Sequence, residues 1–198
     1  RMMTTYIRPG GLWRDVPVEF EDAVRRFLRI MPNRIDEYTS LLTSNELFIE
    51  RTHNIGAISR EDCIRWGLTG PVLRATGLPH DLRKVRPYSG YEQYDFEVPI
   101  SDSGDIFGRY LVRVEEMRQS LRIIEQALRK LPLGPVRSNN RYYNPPPRSE
   151  LGHSMEAVIH HFKFWTEGFN APEGYVYAAT ESPRGELGCY LESDGGNK

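Results

Sequence analysis

Residues 104–135 read GDIFGRYLVRVEEMRQSLRIIEQALRKLPLGP, and the spacing of their apolar residues decides the fold class. Leu111, Val114, Met117, Leu121, Ile124, Leu128 and Leu131 recur at intervals of three and four, so they share one face of a helix predicted from Gly108 to Leu131. Asp105 is placed to cap its first turn, while Lys130, Pro132 and Gly134 supply a basic last turn and a stop. So long an apolar stripe needs neighbours along its whole length.

Candidate neighbours lie on both sides. Towards the N-terminus, Pro9, Gly10 and Gly11 break the chain. An amphipathic helix is then predicted over Val16 to Met31, with Pro17 in its first turn and Phe20, Val24, Phe27, Leu28 and Met31 facing the core. Arg34 to Leu42 continues the pattern, and Asn45 to Arg51 predicts a shorter helix. From Thr52 onward glycines and prolines interrupt every run. Ser59 with Asp62 predicts one capped helix ending at Gly67, and the rest reads as loop. In that loop Arg74, Asp81, Arg83, Lys84 and Arg86 alternate with apolar residues, either as solvated local ion pairs or as an interface. Tyr91 to Pro99, YEQYDFEVP, alternates at period two and predicts a half-buried strand.

Beyond the central stretch, Ser138 to Arg148 with Pro145 to Pro147 reads as an extended connector. Ser154 to Glu167 predicts a second strong helix, capped by Ser154 and burying Met155, Val158, Ile159, Phe162 and Trp165. Tyr175 to Glu181 and Glu186 to Ser193 predict a hairpin turning at Ser182 to Gly185. The fold class expected is mainly α with a small β-rich C-terminal part, in a single domain over 1–198.

Charge and cysteine usage narrow the chemistry. With 26 Lys+Arg against 27 Asp+Glu, the net charge is -1, so no overall field draws the chain to nucleic acid or anionic lipid. No apolar run approaches the ~20 residues of a membrane-spanning helix. Cys63 and Cys189 form no CxxC pair, which argues against a disulfide framework, a zinc ribbon or an iron–sulfur ligand set within this chain and for two buried or half-buried thiols. His160 and His161 are adjacent and point about 100° apart, unlike an i, i+4 metal-binding pair, so one is expected to pack and the other to be exposed. No nucleophile elbow, phosphate-binding loop or dinucleotide fingerprint appears. Glu181 and Glu186 flank the hairpin turn as a candidate acid–base pair, with solvated loop acids the plainer reading. The residues alone describe a domain without a self-contained active site, and the abrupt start at Arg1 and the end after SDGGNK suggest a portion of a longer chain.

Six strings occur in order: RMMTTYIRPGGLWRDVP, GLTGPVLRATG, HDLRKVRPYSGYEQYDFEVP, RYLVRVEEMRQSLRIIEQALRKLP, SMEAVIHHFKFWTEGF and ESPRGELGCYLESDGG. Together they resemble the D-type subunit family of NADH-quinone oxidoreductase, the quinone-site subunits of the peripheral arm of respiratory complex I. The resemblance covers essentially the whole chain. It implies a helical scaffold like that of the nickel–iron hydrogenase large subunit, kept without the metal because the paired CxxC motifs are missing. It also implies a quinone cavity shared with a neighbouring subunit that carries the terminal iron–sulfur cluster. NADH, FMN and the clusters would sit on partner subunits, and quinone reduction would drive proton translocation in the membrane arm. The place implied is peripheral, on the cytoplasmic side of the bacterial inner membrane. Met2 matches a methionine near the quinone headgroup and is the one quinone-binding residue expected; no catalytic or metal-binding residue is expected here. Arg74, Arg83 and Arg86 would serve packing. One departure stands out: the family pattern has aspartate before the arginine of GDxxDR, whereas Gly108 precedes Arg109. Rival readings are a subunit of a related membrane-bound hydrogenase or other quinone-reducing dehydrogenase, and a purely structural bridging module.

Overall fold

A computed structural model describes residues 6–196. They divide into two compact units, one comprising Glu19–Leu131 and Ala178–Cys189, the other residues 6–18, Pro132–Tyr177 and residues 190–196. Architecture is mainly helical, with a hairpin near the C-terminal end.

The larger unit is built on two long helices. Helix α1, Phe20–Leu42, contains Pro32 and joins the predicted Val16–Met31 helix to the Arg34–Leu42 stretch that continues its pattern. Proline removes one backbone donor, but α1 packs along the central helix, and that contact keeps the two halves in one rod. It begins later than Val16, after a turn at Val18 and Glu19, and Asp15 Oδ1 accepts the Val16 N–H at 2.7 Å. Two short helices follow as predicted: α2, Glu46–Glu50, capped by Asn45, and α3, Arg60–Arg65, whose cap Ser59 accepts from the Asp62 N–H.

The stretch read as loop contains two further turns of helix, α4 at Pro71–Arg74 and α5 at Leu82–Val85. Both are too short for periodicity to register. The predicted strand is absent: Tyr91–Gln93 is a 3-10 turn and the residues after it are extended but unpaired. Side chains of the central helix take the place of a partner strand. Gln126 accepts from the Asp95 N–H at 2.9 Å and donates to the Asp95 carbonyl at 2.7 Å, while Gln119 accepts from the Glu97 N–H at 3.1 Å.

That central helix, α6, spans Ile106–Arg129, and its cap Asp105 accepts from the Gly108 N–H. It therefore starts two residues earlier than predicted and takes Gly108 into its first turn. Of the predicted stripe only Val114 is fully buried; Val112 joins it, Met117 to Leu128 are half-buried, and Leu111 and Leu131 are exposed.

In the other unit, β1 at Ile7–Arg8 pairs with β2 at Gly11–Leu12, and a 3-10 turn at Arg148–Gly152 leads into α7, Met155–Thr166. Ser154 caps α7 as predicted, but the apolar face expected to be buried is open, with Met155 70% and Phe162 66% exposed. Among the described residues, buried apolar side chains are Ile35, Cys63, Pro71, Leu73, Ala75, Leu82, Phe96, Val112 and Val114 of the larger unit, and Ala157 of the smaller. Strands β3, Gly174–Ser182, and β4, Gly185–Ser193, form the predicted hairpin around Pro183 and Arg184. No helix among the described residues is long and apolar enough to cross a membrane.

Candidate functional site

Short α4 delivers the most consequential side chain. Gly70 enters it at φ +70, where a Cβ would fall 2.6 Å from the Gly185 nitrogen of the hairpin turn, so glycine is required for the backbones to meet. Four residues on, Arg74 is 1% exposed. Its Nη1 donates to the His80 carbonyl and to Glu181 Oε1, both at 2.9 Å. Its Nη2 stands 2.5 Å from Glu116 Oε1 of α6, without the alignment of a hydrogen bond, so that oxygen has no hydrogen-bond partner, and neither does Arg74 Nε.

Asp81 completes the group, 4.0 Å from Arg74 and held by Arg83 through Nη2 at 2.6 Å and Nε at 3.0 Å. Glu181 is fixed from the other side. Its Oε2 accepts the Leu82 N–H at 3.1 Å, its own N–H donates to the Tyr88 hydroxyl at 2.9 Å, and the Glu186 N–H donates to Thr69 Oγ1 at 2.8 Å. The hairpin tip is thereby seated on α4 and α5.

Three carboxylates thus face two guanidiniums in a space largely closed to water. Burial works to raise the Asp81 carboxyl, but the hydrogen bonds and charge of Arg83 outweigh it and hold the group below the usual carboxylate range. Glu116 goes the other way: burial pushes it above that range, and the attraction of Arg74 does not compensate. Arg74, Arg83, Glu116 and Glu181 line an open-sided cavity of about 760 Å³, together with Phe27 and Met31 of α1 and Leu121 and Ile124 of α6. Apolar and charged lining together suit a mainly apolar ligand with a polar head.

In the smaller unit a separate cavity of about 1040 Å³ is lined by Arg137, Arg141, Arg148 and His161, and the Arg8 and Arg137 guanidiniums each lie 5.3 Å from the Trp13 ring. His160 and His161 are both half-buried, against Phe164 and Trp165, rather than one packed and one exposed. Cys63 is buried, which raises its thiol, whereas Cys189 is exposed. Among the described residues no three His, Cys, Asp or Glu side chains converge as a metal-ligating set.

Met2, the expected quinone-binding residue, lies outside the described residues. Glu181 is drawn into the charge cluster instead of standing solvated at the turn, and Arg74 is the least exposed of the loop arginines, with Arg83 half-buried and Arg86 exposed. The pairing of Arg74 with Glu116 and Glu181 joins residues far apart in the chain, and no local pattern signals it; the one clue is an arginine set among small and apolar residues in LTGPVLRATG.

Comparison with known proteins adds to this geometry. The family described as "Respiratory-chain NADH dehydrogenase, 49 Kd subunit" matches residues 1–198. The chain is 59% identical over 201 residues to the NADH-quinone oxidoreductase D-type subunit 1 of Roseiflexus castenholzii, covering 100% of this chain and 48% of the relative. It is 55% identical over 201 residues to the D-type subunit 2 of Chloroflexus aurantiacus, covering 100% and 49%, and 53% identical over 197 residues to the D-type subunit of Thermus thermophilus, covering 100% and 48%. The chain spans about half the length of these relatives.

Proposed function

The chain belongs to the respiratory-chain NADH dehydrogenase 49 Kd subunit family, and on that premise we propose that it helps to form the quinone-reduction site of a multisubunit NADH:quinone oxidoreductase. The carrying observation is the match of the whole chain at 59% and 55% identity to proteins named as D-type subunits of NADH-quinone oxidoreductase. The larger unit supports the reading with a cavity whose apolar and charged lining suits an amphipathic substrate.

On this reading electrons taken from NADH on a partner subunit pass through FMN and iron–sulfur clusters, also on partners, to the quinone. Its reduction is coupled to proton translocation in the membrane arm. The chain contributes binding, positioning and exclusion of water. The helical scaffold is that of the hydrogenase large subunit with its metal site abandoned, the protein is peripheral on the cytoplasmic side of the membrane, and Met2 forms part of the cavity wall near the headgroup. The test is to isolate the full-length protein with its native partners and assay NADH:quinone activity with quinone-site inhibitors. Inhibitor-sensitive activity is expected; a protein that purifies alone with stoichiometric nickel or iron would overturn the proposal in favour of a hydrogenase.

A second reading, a structural bridging module, draws on the open apolar face of α7. Substituting Met2 separates the two for that segment. A raised apparent KM for quinone supports a place in the cavity, and unchanged affinity and rate support bridging.

A further inference from the structure

We propose that the buried cluster of Arg74, Asp81, Arg83, Glu116 and Glu181 is a proton-loading site, with the exchangeable proton carried by Glu116 and delivered through the cavity between α1 and α6. Charge supplies the first reason. Among the buried groups three carboxylates face two guanidiniums, with Arg113 and Arg184 exposed at the cavity edge, and burial disfavours the excess negative charge.

Geometry selects which acid. Asp81 accepts from Arg83 Nε, Nη2 and backbone N–H. Glu181 accepts from Arg74 and from the Leu82 N–H. Glu116 has only the unaligned contact with Arg74, and its Oε1 has no hydrogen-bond partner. Arg74 favours the charged form of Glu116, but of the three acids Glu116 has the fewest donors to offset its burial. The direction in which burial moves its titration agrees.

The charged groups around Glu116 come from several elements. Arg74 belongs to α4, Asp81 and Arg83 to the cap and first turn of α5, Glu181 and Arg184 to the hairpin, and Arg113 to α6 itself, while α1 presents only apolar side chains to this cavity. Access exists as well, since the Glu116 side chain keeps 16% exposure and lines the cavity, unlike Asp81 at 0%. The exchange is simple: a hydronium in the cavity gives its proton to a Glu116 carboxylate oxygen, leaving water and a neutral carboxylic acid, and no electron moves. The cluster then carries equal positive and negative charge, and Arg74 keeps Glu181 as its hydrogen-bonded carboxylate.

This inference stands apart from the quinone reading, because it needs neither turnover nor a bound substrate. It is tested by infrared difference spectroscopy between acidic and alkaline buffer on the full-length protein in its native complex, for wild type, Glu116→Gln and Glu116→Asp. At a pH just above the ordinary glutamate range a protonated-carboxyl C=O band that shifts in heavy water is expected in wild type, is lost in Glu116→Gln and is displaced but retained in Glu116→Asp. Should Glu116→Gln fail to assemble, displacement in Glu116→Asp carries the assignment. Absence of the band from wild type, or a band unmoved by both substitutions, overturns the proposal.

Discussion

Gly108 is crowded by side-chain oxygens. A Cβ there would fall 2.9 Å from Ser101 Oγ and closer still to Ser103 Oγ. Ser103 cannot turn away without loss, because its hydroxyl donates to Asp105 Oδ1 at 2.8 Å. The aspartate that the family pattern leads one to expect would therefore displace the serine hydroxyls at 101 and 103. Alanine normally gains about 1 kcal/mol over glycine inside a helix. Here Gly108→Ala is expected instead to lower stability by about 1–2 kcal/mol through overpacking. Adding Ser103→Ala should recover most of that loss in denaturant unfolding, and strictly additive effects would contradict the steric account. Asp105 itself is closed to water yet lies close beneath the surface. Burial tends to raise its carboxyl, but the N–H groups of Gly108 and Asn54 and the Ser103 hydroxyl outweigh it and hold the group below its ordinary value. A depressed folded pKa means stability that is present above the ordinary aspartate range and lost as pH falls through the lowered value. Asp105→Asn should thus cost about 1–2 kcal/mol at neutral pH and flatten the acid limb of a stability–pH curve; an unchanged limb would refute the assignment.

Between elements, the two attachments to α6 and α4 differ in kind. The extended segment after Tyr91–Gln93 is held by helix glutamines, so Gln126→Leu is expected to cost about 1–2 kcal/mol and to speed amide exchange at Asp95 while leaving α6 intact. The hairpin is held by buried charge, and Glu181→Ala should cost about 3–5 kcal/mol because it strips Arg74 of its hydrogen-bonded carboxylate. Loss of amide protection at Leu82 and at the hairpin turn, with α1 unaffected, would locate the damage. This contrast also explains what is legible in the sequence. Helices α1, α6 and α7 and their caps at Asp105 and Ser154 can be read there, because periodicity and capping are local. The hairpin is legible for the same reason. The expected strand over Tyr91 to Pro99 fails because its alternation is real but its hydrogen-bond partners are glutamine side chains of a helix. Arg74 escapes a local reading because its partners arrive from α6 and β3.

Across the whole molecule, burial is concentrated in the larger unit, and α7 leaves Met155, Ile159, Phe162 and Trp165 largely exposed. Phe162→Ser is accordingly expected to change chain stability by less than about 0.5 kcal/mol. A clear fall in thermal midpoint would show that this face is packed after all, and reduced recovery of the variant with its partners would favour the bridging reading of that face. The Arg74–Glu181 bond, finally, sets a timetable for birth of the protein. Its two residues are 107 positions apart, and at ribosomal speeds roughly 5–20 s separate their synthesis. Throughout that interval the nascent larger unit holds a guanidinium whose hydrogen-bonded carboxylate has not yet been made. Its core must wait, unfinished, for a hairpin that leaves the ribosome long after the helices it closes.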